Sequence, residues 1–170
     1  VIEARAVDKA GNYDTIYSTA SFMYDVSKPE TYVGFPVDNT FLSSLSTISG
    51  TSTDNEPFGS GVSLTEVAIR RNTDHKWWGG SLFNQPVPSP FTVTGAPWTY
   101  TGLTDSALTS GTSYYITARS RDNATNQEEF YNIRGSTFVF DNMNETQPRP
   151  LNNYFTISGR VHIHRTRYII

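Results

Sequence analysis

The sequence contains no cysteine among its 170 residues. This absence excludes a disulfide framework, a zinc site built from thiolates and a cysteine nucleophile. It does not exclude secretion, because a β domain of about 110 residues can bury enough apolar surface to fold without cross-links. The fold must therefore be held by packing and hydrogen bonding alone.

Charge of one sign and long apolar runs are also scarce. The formal net charge is −3, and charged residues make up 17% of the chain. No basic footprint for nucleic acid is present, so no nucleic-acid partner is expected. No apolar run approaches the ~20 residues that a membrane-spanning helix needs, so we expect no membrane span.

Motifs of catalysis are missing too. The sequence has no G-x-S-x-G elbow and no phosphate-binding loop, and His75 stands in a polar turn with no evident partner. The sequence therefore predicts a protein that is not an enzyme.

What the chain does have is an internal repeat. The stretch ARAVDKAGN at 4–12 returns as ARSRDNATN at 118–126, which is 114 positions later. Each copy is followed by an aromatic stretch that ends in aspartate, FMYD at 22–25 and FVFD at 138–141. The second copy has threonine where the first has glycine, so the turn does not require glycine.

A second repeated motif sets the order of the repeat, because TISG at 47–50 occurs again at 156–159. A period of about 110 residues is that of one β-sandwich domain, longer than a solenoid unit. The repeat divides the chain into the last strands of one domain at 1–26, a complete domain at 27–142 and the first strands of another at 143–170.

The central domain consists of short apolar stretches separated by Gly, Pro, Asn, Asp and Ser clusters, which predicts an all-β fold. Residues 86–90 are too interrupted by proline for a central strand. We predict strands at 31–35, 45–51, 64–71, 98–103, 114–121 and 136–141.

Alternation along the strands predicts the core. It places Val67 and Ile69 on the inner face of their strand and Ala68 and Arg70 on the outer face. The predicted core is Ile48, Val67, Ile69, Tyr114, Ile116, Ala118, Phe138 and Phe140. Aromatic-rich strands spaced by turns predict an immunoglobulin-like Greek-key β-sandwich, one complete domain flanked by partial repeats.

Several motifs together resemble bacterial immunoglobulin-like, or fibronectin-III-like, tandem repeats. They are ISGT at 48–51, SGV at 60–62, VAIR at 67–70, WWGG at 77–80, Trp98, YITAR at 115–119 and DKAGN at 8–12. The resemblance covers the central domain throughout and both flanks in part. It implies an extracellular or cell-surface protein of adhesion or filament type, and the same module also serves as a spacer in secreted carbohydrate-active enzymes.

Oxygen-rich loops after the repeated strand suggest a cation site. Asp122, Asn123 and Asn126 put hard oxygen ligands in one tight loop, which is what calcium prefers. No loop carries the dense alternating carboxylates of a dedicated site, and the alternative is a turn held by Asx hydrogen bonds to its own backbone. A further acidic loop lies at 54–56, and Asp25 lies near a domain junction.

Adjacent tryptophans offer a second candidate surface. Because neighbours on a strand face opposite ways, we expect one of Trp77 and Trp78 to be buried and the other to lie at a surface or subunit contact. With Trp98 and Tyr100 they are the residues from which an aromatic platform for sugar rings would be built. A protein interface is the competing interpretation of an exposed tryptophan.

The two ends of the chain are complementary in strand type, since one supplies final strands and the other supplies first strands. We expect an interface to other copies, or to further repeats, at Ile2, Ala4, Phe22, Ile157 and Ile163. The predicted function is a structural segment of a secreted bacterial surface, adhesin or filament protein. The alternative is a spacer or carbohydrate-binding module of a secreted polysaccharide-degrading enzyme.

Overall fold

The computed structural model describes residues 1–55, 59–130 and 134–143, and in them the chain is all-β. A single turn of 3-10 helix at Asp105–Ala107 interrupts the strands. The strands are β1 Ile2–Ala4, β2 Ser18–Ala20, β3 Glu30–Phe35, β4 Thr40–Leu42, β5 Ile48–Thr53, β6 Val62–Arg71, β7 Trp77–Trp78, β8 Phe83–Gln85, β9 Phe91–Val93, β10 Trp98–Tyr100, β11 Thr112–Asp122 and β12 Ser136–Phe140. The described residues contain no helix long and apolar enough to cross a membrane.

Two sheets pack as a β-sandwich in the central part of the chain. One has the order β10-β5-β3, and the other has the order β4-β12-β11-β6-β7-β8, with β9 also pairing with β6. The pairings are antiparallel except that of β12 with β4, which is parallel. Apolar side chains from both sheets meet in one core, as the alternation of short strands requires.

The longest strand, β11, is the centre of the larger sheet. It pairs with β12 on one side and with β6 on the other. All eight predicted core residues are buried, and Tyr114, Ile116 and Phe138 are fully buried. The predicted inner faces of β5, β6, β11 and β12 are therefore confirmed.

The structure differs from the sequence prediction at several strand ends. The strand predicted at 45–51 begins later, at Ile48, and the one predicted at 98–103 ends at Tyr100. No sequence pattern predicted β4, which has three residues and pairs with β12 across about a hundred positions. Ala68, placed on the outer face by alternation, is buried as well, because that face of the sheet is also covered.

One close approach between strands requires a glycine. Trp98 is completely buried and lies opposite Gly50 in the pairing of β10 with β5. A Cβ atom at Gly50 would collide with the Trp98 ring and with the carbonyl oxygen of Tyr32. Bare backbone at Gly50 therefore leaves the space that the Trp98 ring occupies against β5.

The N-terminal hairpin repeats the pairing of β11 with β12, with β1 114 positions before β11 and β2 116 positions before β12. Ile2 pairs with Ala20 as Ile116 pairs with Ser136. The bridge between Val7 and Tyr13 likewise returns, 114 positions later, as the bridge between residues 121 and 127. The repeat detected in the sequence is thus also a repeat of hydrogen-bond register.

We predict that Gly50→Ala lowers the free energy of unfolding by about 1–3 kcal/mol, the usual cost of overpacking a core. The matched control is Gly34→Ala on the paired strand β3, where an added Cβ would meet nothing closer than 3.8 Å. Urea denaturation followed by tryptophan fluorescence measures both. Equal stability of the two variants would contradict the tight contact of Trp98 with Gly50.

Candidate functional site

The candidate site is built on the turn that follows β11. The Asp122 carboxylate closes this turn, since its Oδ1 accepts the Asn126 backbone N–H and its Oδ2 accepts the Asn126 side-chain amide, both at 2.8 Å. The Asp122 N–H donates to the Asn126 carbonyl at 3.1 Å. Aspartate and asparagine four positions apart therefore fold the turn locally, as Asx hydrogen bonding predicts.

The same hydrogen bonds recur in the N-terminal copy of the turn. Asp8 Oδ1 accepts the Asn12 N–H and Asp8 Oδ2 accepts the Asn12 side-chain amide, again both at 2.8 Å. The residue before the asparagine has positive φ in both copies, 86° at Gly11 and 73° at Thr125. The turn thus requires a left-handed residue, and Thr125 adopts this conformation although it is unfavourable for a β-branched side chain.

Asp25 connects the N-terminal segment to this turn. Its Oδ2 accepts the Ser60 backbone N–H at 2.8 Å, and its own backbone carbonyl accepts a hydrogen bond of 3.2 Å from Asn126 Nδ2. The Asn123 side-chain amide in turn donates to the carbonyls of Ser60 and Gly61. Three loops distant in sequence are therefore tied together at one end of the sandwich.

Two further carboxylates meet Asp25 at this end. One ligand oxygen from each of Asp25, Asp54 and Asp122 lies within 4.8 Å of the others, and the last two side chains are buried. Backbone N–H groups compensate the charge, since Asp54 Oδ2 accepts from Gly61 at 2.7 Å. Within the described residues, none of the three forms an ion pair with a basic side chain.

Clustered carboxylate oxygens are the ligands that calcium uses. The cluster of carboxylates includes Asp122, a predicted ligand, and the other two predicted ligands, Asn123 and Asn126, lie in the same turn, where their amide nitrogens donate hydrogen bonds within the junction. Sequence analysis noted Asp25 and Asp54 as acidic positions without joining them to Asp122. The calcium site at Asp122, Asn123 and Asn126 stays a prediction, and the structure adds Asp25 and Asp54 to its candidate ligands.

Below the carboxylates, the core becomes polar. The hydroxyls of Thr31, Ser52, Thr65 and Ser120 are buried and hydrogen-bonded to one another across the two sheets. Beside them the buried Glu128 carboxylate accepts the backbone N–H groups of Thr31 and Ser120, at 3.2 and 3.0 Å. Arg134 pairs with the same carboxylate at 2.6 Å. This polar layer fixes the end of the sandwich from which the junction loops emerge.

The prediction that one of the adjacent tryptophans lies at a surface is wrong. Trp77 is 2% exposed and Trp78 is 3% exposed. They do lie in different environments, because Trp78 belongs to the core cluster and donates to the Tyr100 hydroxyl, whereas the Arg70 guanidinium lies 5.7 Å from the Trp77 ring. A cationic side chain on the outer face covers the tryptophan that alternation turned outward.

The predicted interface residues divide into two groups. Ile2, Ala4 and Phe22 are exposed on the N-terminal hairpin, with Ile2 at 58% and Phe22 at 68%. Ile157 and Ile163 lie outside the described residues. The interface itself therefore stays a prediction, and the exposed apolar side chains of the hairpin are the observation that supports it.

Comparison with known proteins gives this chain no named relative, since no family model and no curated protein match it. Within the chain, the turn at 8–12 and the turn at 122–126 are related to each other. Both turns have the same hydrogen bonds, and the second receives Asp25. The junction is thus the feature of this chain from which a function can be argued.

The junction should respond to acid through Asp25. The Ser60 backbone N–H, with that of Ser27, holds the pKa of the Asp25 carboxyl below its ordinary value of 3.8. Because the folded-state pKa is lowered, these bonds stabilise the junction above the unfolded pKa, and this stability is lost as pH falls through the folded pKa. We expect a carboxyl NMR titration of Asp25 with a midpoint below 3.8, accompanied by the Ser60 amide shift. Asp25→Asn should abolish that amide titration, and a midpoint at or above 3.8 would contradict the bonding.

The predicted calcium site can be tested by thermal melting. A cation that binds the folded state raises the melting temperature by mass action, so calcium should raise it and a chelator should lower it. Asp54→Asn should remove the response, whereas Asp74→Asn, which changes a carboxylate paired with Arg71 elsewhere, should keep it. Identical melting curves with calcium and with chelator would reject the site.

Proposed function

We propose that this chain is a structural repeat segment of a secreted bacterial cell-surface, adhesin or filament protein. In this proposal, tandem immunoglobulin-like domains give length, stiffness and subunit contacts. The segment has no catalytic role and lies outside the cell or at its surface. Its partners are other copies of the chain or further repeats of the same kind.

The observation that carries the proposal is that matching residues are buried in the sandwich and exposed in the hairpin. Ile116 and Phe138 are 0% exposed, whereas their counterparts Ile2 and Phe22 are mostly exposed. Burying one such side chain contributes about 1.5–3 kcal/mol, and a two-stranded hairpin is marginally stable at best. The strands of another repeat would cover this face as the sheet β10-β5-β3 covers the core face of β11.

The junction supports a mechanical role. Asp25 is bonded both to the loop at Ser60 and to the turn at Asn126, so the segment that leads into the central domain is held at two points. A linker with such contacts transmits orientation from one repeat to the next, unlike a Gly/Ser-rich linker that behaves as a flexible coil. Stiffness of the array would follow from this anchoring.

The competing function, a carbohydrate-binding module, draws no support from the tryptophans. Sugar rings stack on exposed aromatic faces. Trp77, Trp78 and Trp98, the three tryptophans of the chain, are all buried. A spacer without sugar binding differs from the proposed segment only in the protein that contains it.

Sedimentation velocity over a range of concentrations tests the proposal. We expect wild-type chain to form larger species as concentration rises, and Ile2→Asp to lose this association because a carboxylate would be buried in the new contact. Ile16→Asp is the matched control, since Ile16 lies outside the β1–β2 pairing and is 75% exposed.

Two results would count against the proposal. A wild-type chain that sediments as a monomer at every concentration would contradict association through the hairpin face. Co-sedimentation with insoluble polysaccharide that is retained by Ile2→Asp would favour the carbohydrate-binding function instead.

A further inference from the structure

The turn at 122–126 is a binding site, here called the receptor, for another segment of the same chain, here called its ligand. A side-chain amide has two N–H groups. Asn126 Nδ2 lies 2.8 Å from the Asp122 carboxylate within the turn and 3.2 Å from the backbone carbonyl oxygen of Asp25. The turn therefore binds the aspartate that ends the preceding aromatic stretch.

The turn at 8–12 has the same receptor geometry. Asn12 Nδ2 donates to Asp8 Oδ2 at 2.8 Å, and Gly11 holds the left-handed position that Thr125 holds in the other copy. Within residues 1–55, 59–130 and 134–143, Asn12 Nδ2 has no acceptor outside its own turn. Its second N–H matches the one that Asn126 directs to Asp25.

A matching ligand lies at the end of β12. Asp141 ends the stretch FVFD as Asp25 ends FMYD, and Asp141 Oδ1 accepts the Met143 N–H at 3.3 Å as Asp25 Oδ1 accepts the Ser27 N–H at 2.9 Å. In the part of the chain that the structure describes, no donor contacts the Asp141 carbonyl oxygen. Among the described residues, Asp141 therefore has the same local geometry as Asp25 but lacks the contact with a turn asparagine that Asp25 makes.

We propose that the turn at 8–12 binds the Asp141 strand end of a second copy of this chain, with the free N–H of Asn12 donating to the Asp141 carbonyl oxygen. This inference rests on the proposed function and names the contact through which copies join. Because receptor and ligand are different surfaces of the same chain, the contact is heterologous and extends copies head to tail.

Cysteine cross-linking between copies tests the contact on a background free of native thiols, since the chain has no cysteine. Asn12→Cys and Asp141→Cys chains are prepared separately, mixed and oxidised. We expect the mixed disulfide dimer in several-fold excess over the dimer formed when Lys76→Cys replaces Asn12→Cys. Mass spectrometry of the linked peptide identifies the pair.

A second pair keeps the test valid if Asn12→Cys disturbs its turn. Lys9 takes the position of Asn123, which bonds to Ser60, the residue that also bonds Asp25. Lys9→Cys leaves Asp8 and Asn12 intact, and a short bismaleimide should join it to Asp141→Cys, again well above the Lys76→Cys control.

The outcomes separate this inference from the proposed function. If wild-type chains associate in sedimentation but neither pair cross-links above the control, the Asn12 contact is overturned and the assembly function stands. If wild-type chains do not associate in sedimentation and neither cysteine pair cross-links above the control, both are overturned. Selective cross-linking of both pairs supports the head-to-tail contact.

Discussion

The structure depends on one buried carboxylate, that of Glu128. It accepts backbone N–H groups from Thr31 in one sheet and Ser120 in the other, and it pairs with Arg134. A buried charge is tolerated only with such partners, and removing one partner of a buried pair typically costs 3–5 kcal/mol. Because Glu128 follows the turn at 122–126, its anchoring also fixes where that turn emerges from the sandwich. The place at which Asp25 docks is therefore set by the polar layer beneath it.

Above this layer, the junction combines local and long-range bonding. Aspartate and asparagine close the turn by themselves, which is why the same arrangement forms at 8–12 and at 122–126. Asp25 then bonds to Ser60 and to Asn126, groups that belong to two different loops. In the proposed repeat array, a few such directional bonds at each junction would supply stiffness, and the hydrophobic core would lie within the domains.

The N-terminal hairpin shares the strand pairing of β11 with β12 but not its burial. Ile2 has the register of the buried Ile116, and Phe22 corresponds to the buried Phe138 in the repeated sequence, but both are exposed among the described residues. Edge strands and apolar faces recruit further strands, so the hairpin is suited to association. Assembly through this face and anchoring through the turn would act together. The hairpin face would supply buried apolar area, and the hydrogen bonds of the turn would set the relative orientation of the joined segments.

The sequence by itself determined the longer strands, their inner faces and the repeat, because alternation and turn residues act over a few neighbouring positions. It located all eight core residues and the turn at Asp122, and the 114-residue offset returned as hydrogen-bond register. The tertiary structure alone decided that Arg70 covers Trp77, that β4 pairs with β12 and that Asp25 and Asp54 meet Asp122. These contacts join groups far apart in the chain. No local pattern records which loops fold to the same end of a sandwich, since that depends on how the two sheets pack.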